Sequence, residues 1–493
     1  MQLPGKMIKR INILFVISFL AIILTLSSCA INPVTGRRQL MFMSESQEIS
    51  LGREYDPQVI ATFGEYKNEQ LLAFIKEKGD EMGKISHRPE LQYHYRILDS
   101  PVINAFAVPG GYIYLTRGIL AQFNNEAEMI GVLGHEMGHI TARHSVSRQA
   151  KQQVGQLLLI GGMIASEEFI KYAEYAMAGM QLLFLSYSRE NEREADKLGV
   201  EYTSKIGYDA SKMADFYQVL VKMNLASDHA GIPTFLSTHP DPGDRYNAVI
   251  LDAKQWQEEL DFDSWLVNTN SYLRLIDGLV YGEDPRQGYF EDNVFYHPEL
   301  KFRFPCPSGW QLENSPIQVT MAPKSKDALM VFTFAQGNTL EEASQASMKQ
   351  LQLNVLDRVI TTVNGMPAIA IRSNQTQKLS ADQQQTMQIL SYFIDDNGTY
   401  YVFHGISDEG DFKNYARLFE STMLNFNKLT DPSKINVQPA RIRIEKVPGS
   451  GTLSDAFRSL GVQKQDMEEL AFLNNMNLTD QVQAGSLIKI VVR

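Results

Sequence analysis

Gly134-His135-Glu136-Met137-Gly138-His139 is the stretch that decides the reading of this chain. It has the form HExxH inside a segment of helical pattern. Residues four apart lie on one helical face, so His135 and His139 project side by side. Two imidazoles at that separation can grip one zinc ion, and Glu136 can reach a water beside the metal. Asn124-Asn125-Glu126 offers N-cap chemistry, and the helix is predicted to run to about Ser147. Ile130, Val132, Leu133, Met137 and Ile140 surround its polar face, which predicts a buried helix. Buried histidine and glutamate need partners, and a metal site supplies them.

The third ligand must come from elsewhere. A metzincin would place glycine and histidine at positions 142 and 145, where this chain has Ala142 and Ser145. His144 lies on a different helical face from His139 and reads as structural or supporting. Downstream, Glu192 and Asp196 are again four apart. One could ligate, and the other could accept the free N–H of a ligand histidine. The neighbours Glu190, Arg193 and Lys197 also suit a solvated charged helix. Upstream, Asn104-Ala105-Phe106-Ala107-Val108-Pro109-Gly110-Gly111 reads as a strand and a tight turn. Pro109 places the strand at a sheet edge, where a peptide could add as one more strand. An ordinary hairpin fits the same residues.

His135-Glu136-x-x-His139, followed by Glu192-x-x-Ala195-Asp196, resembles the gluzincin family that contains HtpX and the CAAX prenyl proteases. Asn104–Thr116 is similar to that family's substrate strand, and the soluble periplasmic branch typified by BepA and LoiP is most alike. The resemblance covers about residues 30–290. It implies one Zn2+ per chain held by His135, His139 and Glu192, with Asp196 behind them. It implies Glu136 as general base and substrate binding by Asn104, Ala105, Phe106 and Ala107. His239-Pro240 with Arg245 resembles the family's active-site loop. That implies His239 as a transient fourth ligand or oxyanion stabiliser, and Arg245 as an oxyanion or carboxylate binder. A surface histidine in a turn is the plain alternative. Residues 149–186 are apolar in two short pieces, neither of bilayer length, and read as packed helices or a cover over the site.

With 493 residues the chain should hold about three domains. The net charge of −11 and the absence of a basic block argue against a nucleic-acid partner. Cys29 and Cys306 are the only cysteines, too few for a disulfide framework. Residues 1–29 read as an export signal: Lys6, Lys9 and Arg10, then an apolar run to Leu26, then Leu26-Ser27-Ser28-Cys29. This resembles a bacterial lipobox and implies lipid attachment at Cys29. Ala30, rather than aspartate, leans towards the outer membrane.

Residues 30–293 are therefore expected to form a mainly α-helical zincin peptidase domain with a small edge-strand sheet. Residues 294–429 alternate strand and helix as an α+β domain, with helices predicted at 340–356 and 411–426. That domain faintly resembles PsbP-like domains. Residues 438–493 read strand, helix, helix, strand and resemble a LysM domain. The resemblance implies peptidoglycan binding, although Ser450-Gly451-Thr452 replaces the usual Gly-Asp-Thr, so a structural cap fits equally. The expected activity is zinc metalloendopeptidase cleavage of misfolded or misassembled envelope proteins on the periplasmic side. A chaperone with a closed site and a cell-wall-binding protein are the alternatives.

Overall fold

The computed structural model describes residues 29–150, 186–226, 235, 239, 242–378 and 384–493. The export signal and most of the 149–186 interval lie outside them.

A short hairpin, β1 (Cys29–Ile31) and β2 (Arg38–Leu40), leads into α1 (Glu45–Phe63). Ser44 and Gln47 form a reciprocal capping box at the start of α1. α2 (Glu69–Ile85) follows, then β3 (His94–Leu98), β4 (Ala105–Val108) and β5 (Tyr112–Thr116). β5 is central: it pairs parallel with β3 and antiparallel with β4. β4 is therefore an edge strand. The turn before β5 uses Gly110 and Gly111 at φ +86° and +96°, and a side chain at Gly111 would strike the Gln92 carbonyl.

α3 (Arg117–Gln122) turns the chain into α4 (Glu126–Thr141), which carries HExxH and is buried along its whole length. Asn125 caps α4 by accepting the Glu128 N–H at 2.9 Å. The helix stops six residues short of the predicted Ser147, because Arg143 adopts φ +56°. Its guanidinium donates to buried Glu48 and to the Met43 carbonyl, which holds that conformation. A separate helical turn resumes at His144.

α5 (Arg189–Lys205), α6 (Lys212–Ala226), α7 (Pro242–Glu259) and α8 (Thr269–Leu275) complete this region. α4 and α5 meet backbone to backbone. A Cβ on Gly138 would lie 3.0 Å from the Ala195 carbonyl, and one on Gly199 would lie 2.9 Å from the His135 nitrogen. Only glycine permits so close an approach, and that approach brings the Glu192 and Asp196 face of α5 against the two histidines.

The second unit holds a seven-stranded sheet and a four-stranded sheet. In it, β6 (Tyr289–Glu291), β7 (Val294–His297) and β8 (Phe302–Pro305) precede β9 (Gln311–Asn314), β10 (Gln318–Ala322) and β11 (Ala328–Phe334). α9 (Leu340–Gln350) ends at Gln350, not at 356, and β12 (Asn354–Val363) follows at the sheet edge. β12 is exposed on both faces over most of its length, so its sequence lacks the alternation that betrays a half-buried strand. β13 (Met366–Lys378), β14 (Gln384–Asp396), β15 (Thr399–Asp408), α10 (Phe412–Leu424) and β16 (Asn427–Lys428) complete the unit. Cys306 is a buried free thiol whose pKa burial pushes up to about 12, so it is inert.

The last unit pairs β17 (Arg441–Lys446) antiparallel with β20 (Leu487–Val492). Between them come β18 (Gly451–Thr452), α11 (Leu453–Ser459), α12 (Met467–Leu473) and β19 (Gln481–Val482). Its apolar side chains, including Ile442, Phe457, Leu470 and Ile490, belong to the same core as Tyr272, Ile276 and Leu279, which also holds the buried side chains of α4.

Candidate metal centre

His135 and His139 emerge from α4 with their Nε2 atoms 3.0 Å apart. Glu192, in the first turn of α5, places Oε1 3.4 Å from His139 Nε2. His239 Nδ1 lies 3.3 Å from His135 Nε2 and 3.1 Å from Glu192 Oε1. Zinc bonds of about 2.0–2.1 Å in a tetrahedron require ligand atoms about 3.3 Å apart. The four donor atoms all lie within 4.8 Å of one another, and all four residues are buried. With three nitrogens and a carboxylate the donor set is that of a zinc centre, and the residues fit the ion.

The electrostatics of His139 and Glu192 agree with that chemistry. Burial is the main influence on His139 and drives it well below the ordinary imidazole value, so its nitrogen is free to ligate. Burial alone would raise Glu192, but His239 and Arg245 outweigh it and hold the carboxyl well below its usual range. His239 is raised despite its burial, because the charges of Glu192 and Glu136 favour its proton.

Each ligand histidine is held from behind. His135 Nδ1 lies 2.9 Å from Asp196 Oδ1, which fixes the tautomer that leaves Nε2 facing the site. His139 Nδ1 lies 3.0 Å from His144 Nδ1, and His144 Nε2 lies 3.0 Å from Glu194. His144 thus supports His139 and does not join the ligand set. Tyr187 stacks on the His139 ring at 3.9 Å.

Of the two roles expected of Arg245, its contacts are those of a carboxylate binder, directed at the site's own residues rather than at substrate. Its guanidinium donates to Asp196 at 2.5 Å and 2.6 Å, pairs with Glu192 at 2.7 Å, and lies over the Tyr217 ring at 4.5 Å. Every polar edge of the group is turned towards the site's own carboxylates. Two buried carboxylates beside one another need a buried cation, and Arg245 is that cation. Tyr217 adds a 2.6 Å hydrogen bond to Asp196.

Glu136 is fully buried, and neither carboxylate oxygen has a hydrogen-bond partner among the described residues. Burial raises its pKa, and its nearest charged neighbour is His239 Nε2 at 3.6 Å. His239 therefore presents Nδ1 to the ligand atoms and Nε2 to Glu136. It could serve as a fourth ligand, and Phe235 stacks on its ring at 4.5 Å.

The edge strand stands beside α4. Ala105 and Ala107 turn into the α4 core, while Phe106 and Val108 pack with Tyr114 on the other face. Asn104 exchanges hydrogen bonds with Thr116 of β5, so by strand alternation the backbone groups of Ala105 and Ala107 face the open side. All four β4 residues are buried, and Phe235 N–H donates to the Ile103 carbonyl at the strand's entrance.

Tyr187, Glu194 and Tyr217 were not foreseen. The Tyr187 position, just ahead of the Ser188 cap of α5, was the one usable hint. Nothing in the sequence pattern distinguishes Tyr217 from any other core tyrosine.

The profile of peptidase family M48 matches residues 69–250. The beta-barrel assembly-enhancing protease of Yersinia pestis is 28% identical over 223 residues, 43% of this chain and 45% of that protein. The protein of the same name from Escherichia coli K12 is 26% identical over 213 residues, 41% of this chain and 43% of its own length. The mitochondrial metalloendopeptidase OMA1 of Arabidopsis thaliana is 30% identical over 178 residues, 36% of this chain and 34% of that protein. The similarity thus spans less than half the length of each of these relatives.

Proposed function

We propose that this chain, whose residues 69–250 match peptidase family M48, is a zinc-dependent endopeptidase acting on proteins of the bacterial cell envelope. One observation carries the reading: His135, His139, Glu192 and His239 converge, with a buried glutamate alongside whose oxygens have no hydrogen-bond partner among the described residues. Zinc bound there supplies a Lewis acid for the scissile carbonyl and lowers the pKa of water. Glu136 accepts the proton of the attacking water on its carboxylate and delivers it to the leaving amine. Asp196, with Arg245 and Tyr217 behind it, keeps His135 in the ligating tautomer. The substrate lies as an added strand along Ala105–Val108, using the outward backbone groups of β4.

With zinc bound, His239 could complete the ligand set beside His135, His139 and Glu192, and it would then have to give way for substrate to reach the metal. Purified protein is expected to hold one zinc per chain and to cleave an unfolded polypeptide such as casein. Chelation should stop cleavage and zinc should restore it. Cleavage that continues in metal-free protein would refute the assignment.

We place the protein on the periplasmic side of the envelope, lipid-anchored at Cys29 and facing the outer membrane. The Leu26-Ser27-Ser28-Cys29 pattern supports this, and no helix among the described residues is long and apolar enough to cross a membrane. Radiolabelled palmitate should enter the wild type and not the Cys29→Ser variant; equal labelling would remove the anchor from the proposal. For the LysM-like unit, the shared core with the peptidase region favours a cap over a tethered peptidoglycan binder.

A further inference from the structure

A cavity of about 580 Å³ opens between the peptidase region and the second unit. One wall is Phe63, at the end of α1, with residues 99–102, which lead into β4. The other is formed by Glu283, Tyr289, Phe290 and residues 312–316. Its floor is already satisfied. Arg117 donates to Asp99 at 2.6 Å and to the carbonyls of Val280 and Gly282, and the Gln287 amide donates to the same aspartate at 2.5 Å. Arg117 is thereby spent within the structure and offers no charge to an anionic ligand.

The groups left over are of two kinds. Val102 and Phe290 are 41% and 44% exposed, large apolar surfaces facing a cavity. Glu283 and Glu313 are exposed and have no cationic partner among the described residues. Apolar walls with free carboxylates repel phosphates and acidic segments. They suit an apolar or aromatic side chain next to lysine or arginine.

The position of the cavity says what could bring such a side chain. Val102 is three residues before Ala105, the first residue of the edge strand. Phe63 lies 6.0 Å from Phe106 of that strand. At about 3.3 Å per residue, β4 accommodates only about four residues of an added strand, so a longer polypeptide must run past its end. The cavity lies where the chain enters β4.

We propose that this cavity is an exosite for the arm of a polypeptide substrate that extends beyond β4, and that it selects an aromatic or aliphatic residue beside a basic one. The proposal rests on the endopeptidase reading, and its test separates the two. The binding arm uses full-length protein carrying Glu136→Gln, with fluorescein-labelled peptides followed by anisotropy. One peptide is extended, about 25 residues, with Phe-Lys pairs; the other is about six residues, enough to cover β4 alone. Adding Phe290→Asp or Glu313→Lys should weaken the long peptide about tenfold and leave the short one unchanged. A long peptide with Glu in place of Lys should bind the Glu313→Lys protein better than the unaltered exosite. In the active enzyme the same two substitutions should raise KM for the long peptide and leave kcat alone.

Equal affinity for the long peptide with and without the exosite substitutions would overturn the proposal. So would a parallel loss for the short peptide, which would mean damage at β4. If zinc-loaded wild type cleaves neither peptide, the endopeptidase reading fails, and the anisotropy measurements still decide whether the cavity binds the arm. Both substituted side chains are exposed, and thermal melts of the variants confirm that they fold.

Discussion

Glu136→Gln protein is expected to retain its zinc and to lose about a thousandfold in cleavage of an unfolded polypeptide, within the range for removal of a general base. The expectation rests on how Glu136 is kept. It follows ligand His135 directly on α4, and its carboxylate lies beside the donor cluster, 3.6 Å from His239 Nε2, without joining it. Both its oxygens lack hydrogen-bond partners among the described residues, although the residue is fully buried. A buried carboxylate without hydrogen bonds is costly, and a protein keeps one where its proton affinity is used. Burial raises that affinity, as a group that must take and return a proton requires. Glutamine has the same shape and cannot accept the proton, so the loss should fall on kcat while metal content stays at one per chain. His239→Ala in the same assay should keep cleavage or increase it, because it removes the candidate fourth ligand. Undiminished cleavage by rigorously purified Glu136→Gln protein would remove Glu136 from the chemistry. Loss of zinc in that variant would instead make it a structural support of the site.

The parts of this site legible in the sequence are those set by helix periodicity. His135 and His139 share a face because they are four apart on one helix, and the same spacing pairs Glu192 with Asp196. The glycines of Gly134-His135-Glu136-Met137-Gly138-His139 carry a second message that only the structure makes plain. They let α5 approach to backbone contact, which is how two separate i, i+4 pairs come to share one centre. Long-range partners left no such trace. Arg245 reads as a carboxylate binder and is one, but its neighbours in sequence say nothing of which carboxylates it binds, Asp196 and Glu192, 49 and 53 residues away along the chain. The end of α4 was misjudged for a related reason. Arg143 takes a left-handed conformation held by Glu48, from a different helix. β12 escaped notice because a strand exposed on both faces has no periodic burial to read. Local geometry follows from local sequence, whereas buried charge networks are assembled from segments far apart.

The second large effect is expected at the other end of the chain. Deleting residues 438–493 should leave a protein that no longer folds stably or holds zinc, and Lys489→Met alone should cost about 3 kcal/mol, as expected when buried carbonyls lose their donor. Lys489 is fully buried on β20, and its amine donates to three successive carbonyls, of Ala121 at 2.9 Å, Gln122 at 3.3 Å and Phe123 at 3.1 Å. Those are the orphan carbonyls at the end of α3, just before the Asn125 cap of the zinc helix. Burial drives the amine's pKa down, and the negative charge of Glu128, in the first turn of α4, opposes that fall. Methionine would fill the space and leave the Ala121 and Phe123 carbonyls without a donor, while Gln122 keeps only the Asn124 amide at 3.0 Å. The backbone is joined as well: Ile442 N–H donates to Leu279 at 2.9 Å, Gly278 N–H to Ile442 at 2.8 Å, and Tyr281 N–H to Ala440 at 2.8 Å. Removing the unit would also strip the cover from Tyr272, Ile276 and Leu279. A module that merely tethers the enzyme to a glycan would share neither a core nor a buried lysine with it. Thermal unfolding and zinc retention of full-length, Lys489→Met and truncated proteins decide between these pictures. A truncated protein that melts where the full chain does and keeps its metal would show the last unit to be an independent appendage. A fall in both stability and metal affinity in Lys489→Met would show that the chain's last strand fixes the start of its zinc helix.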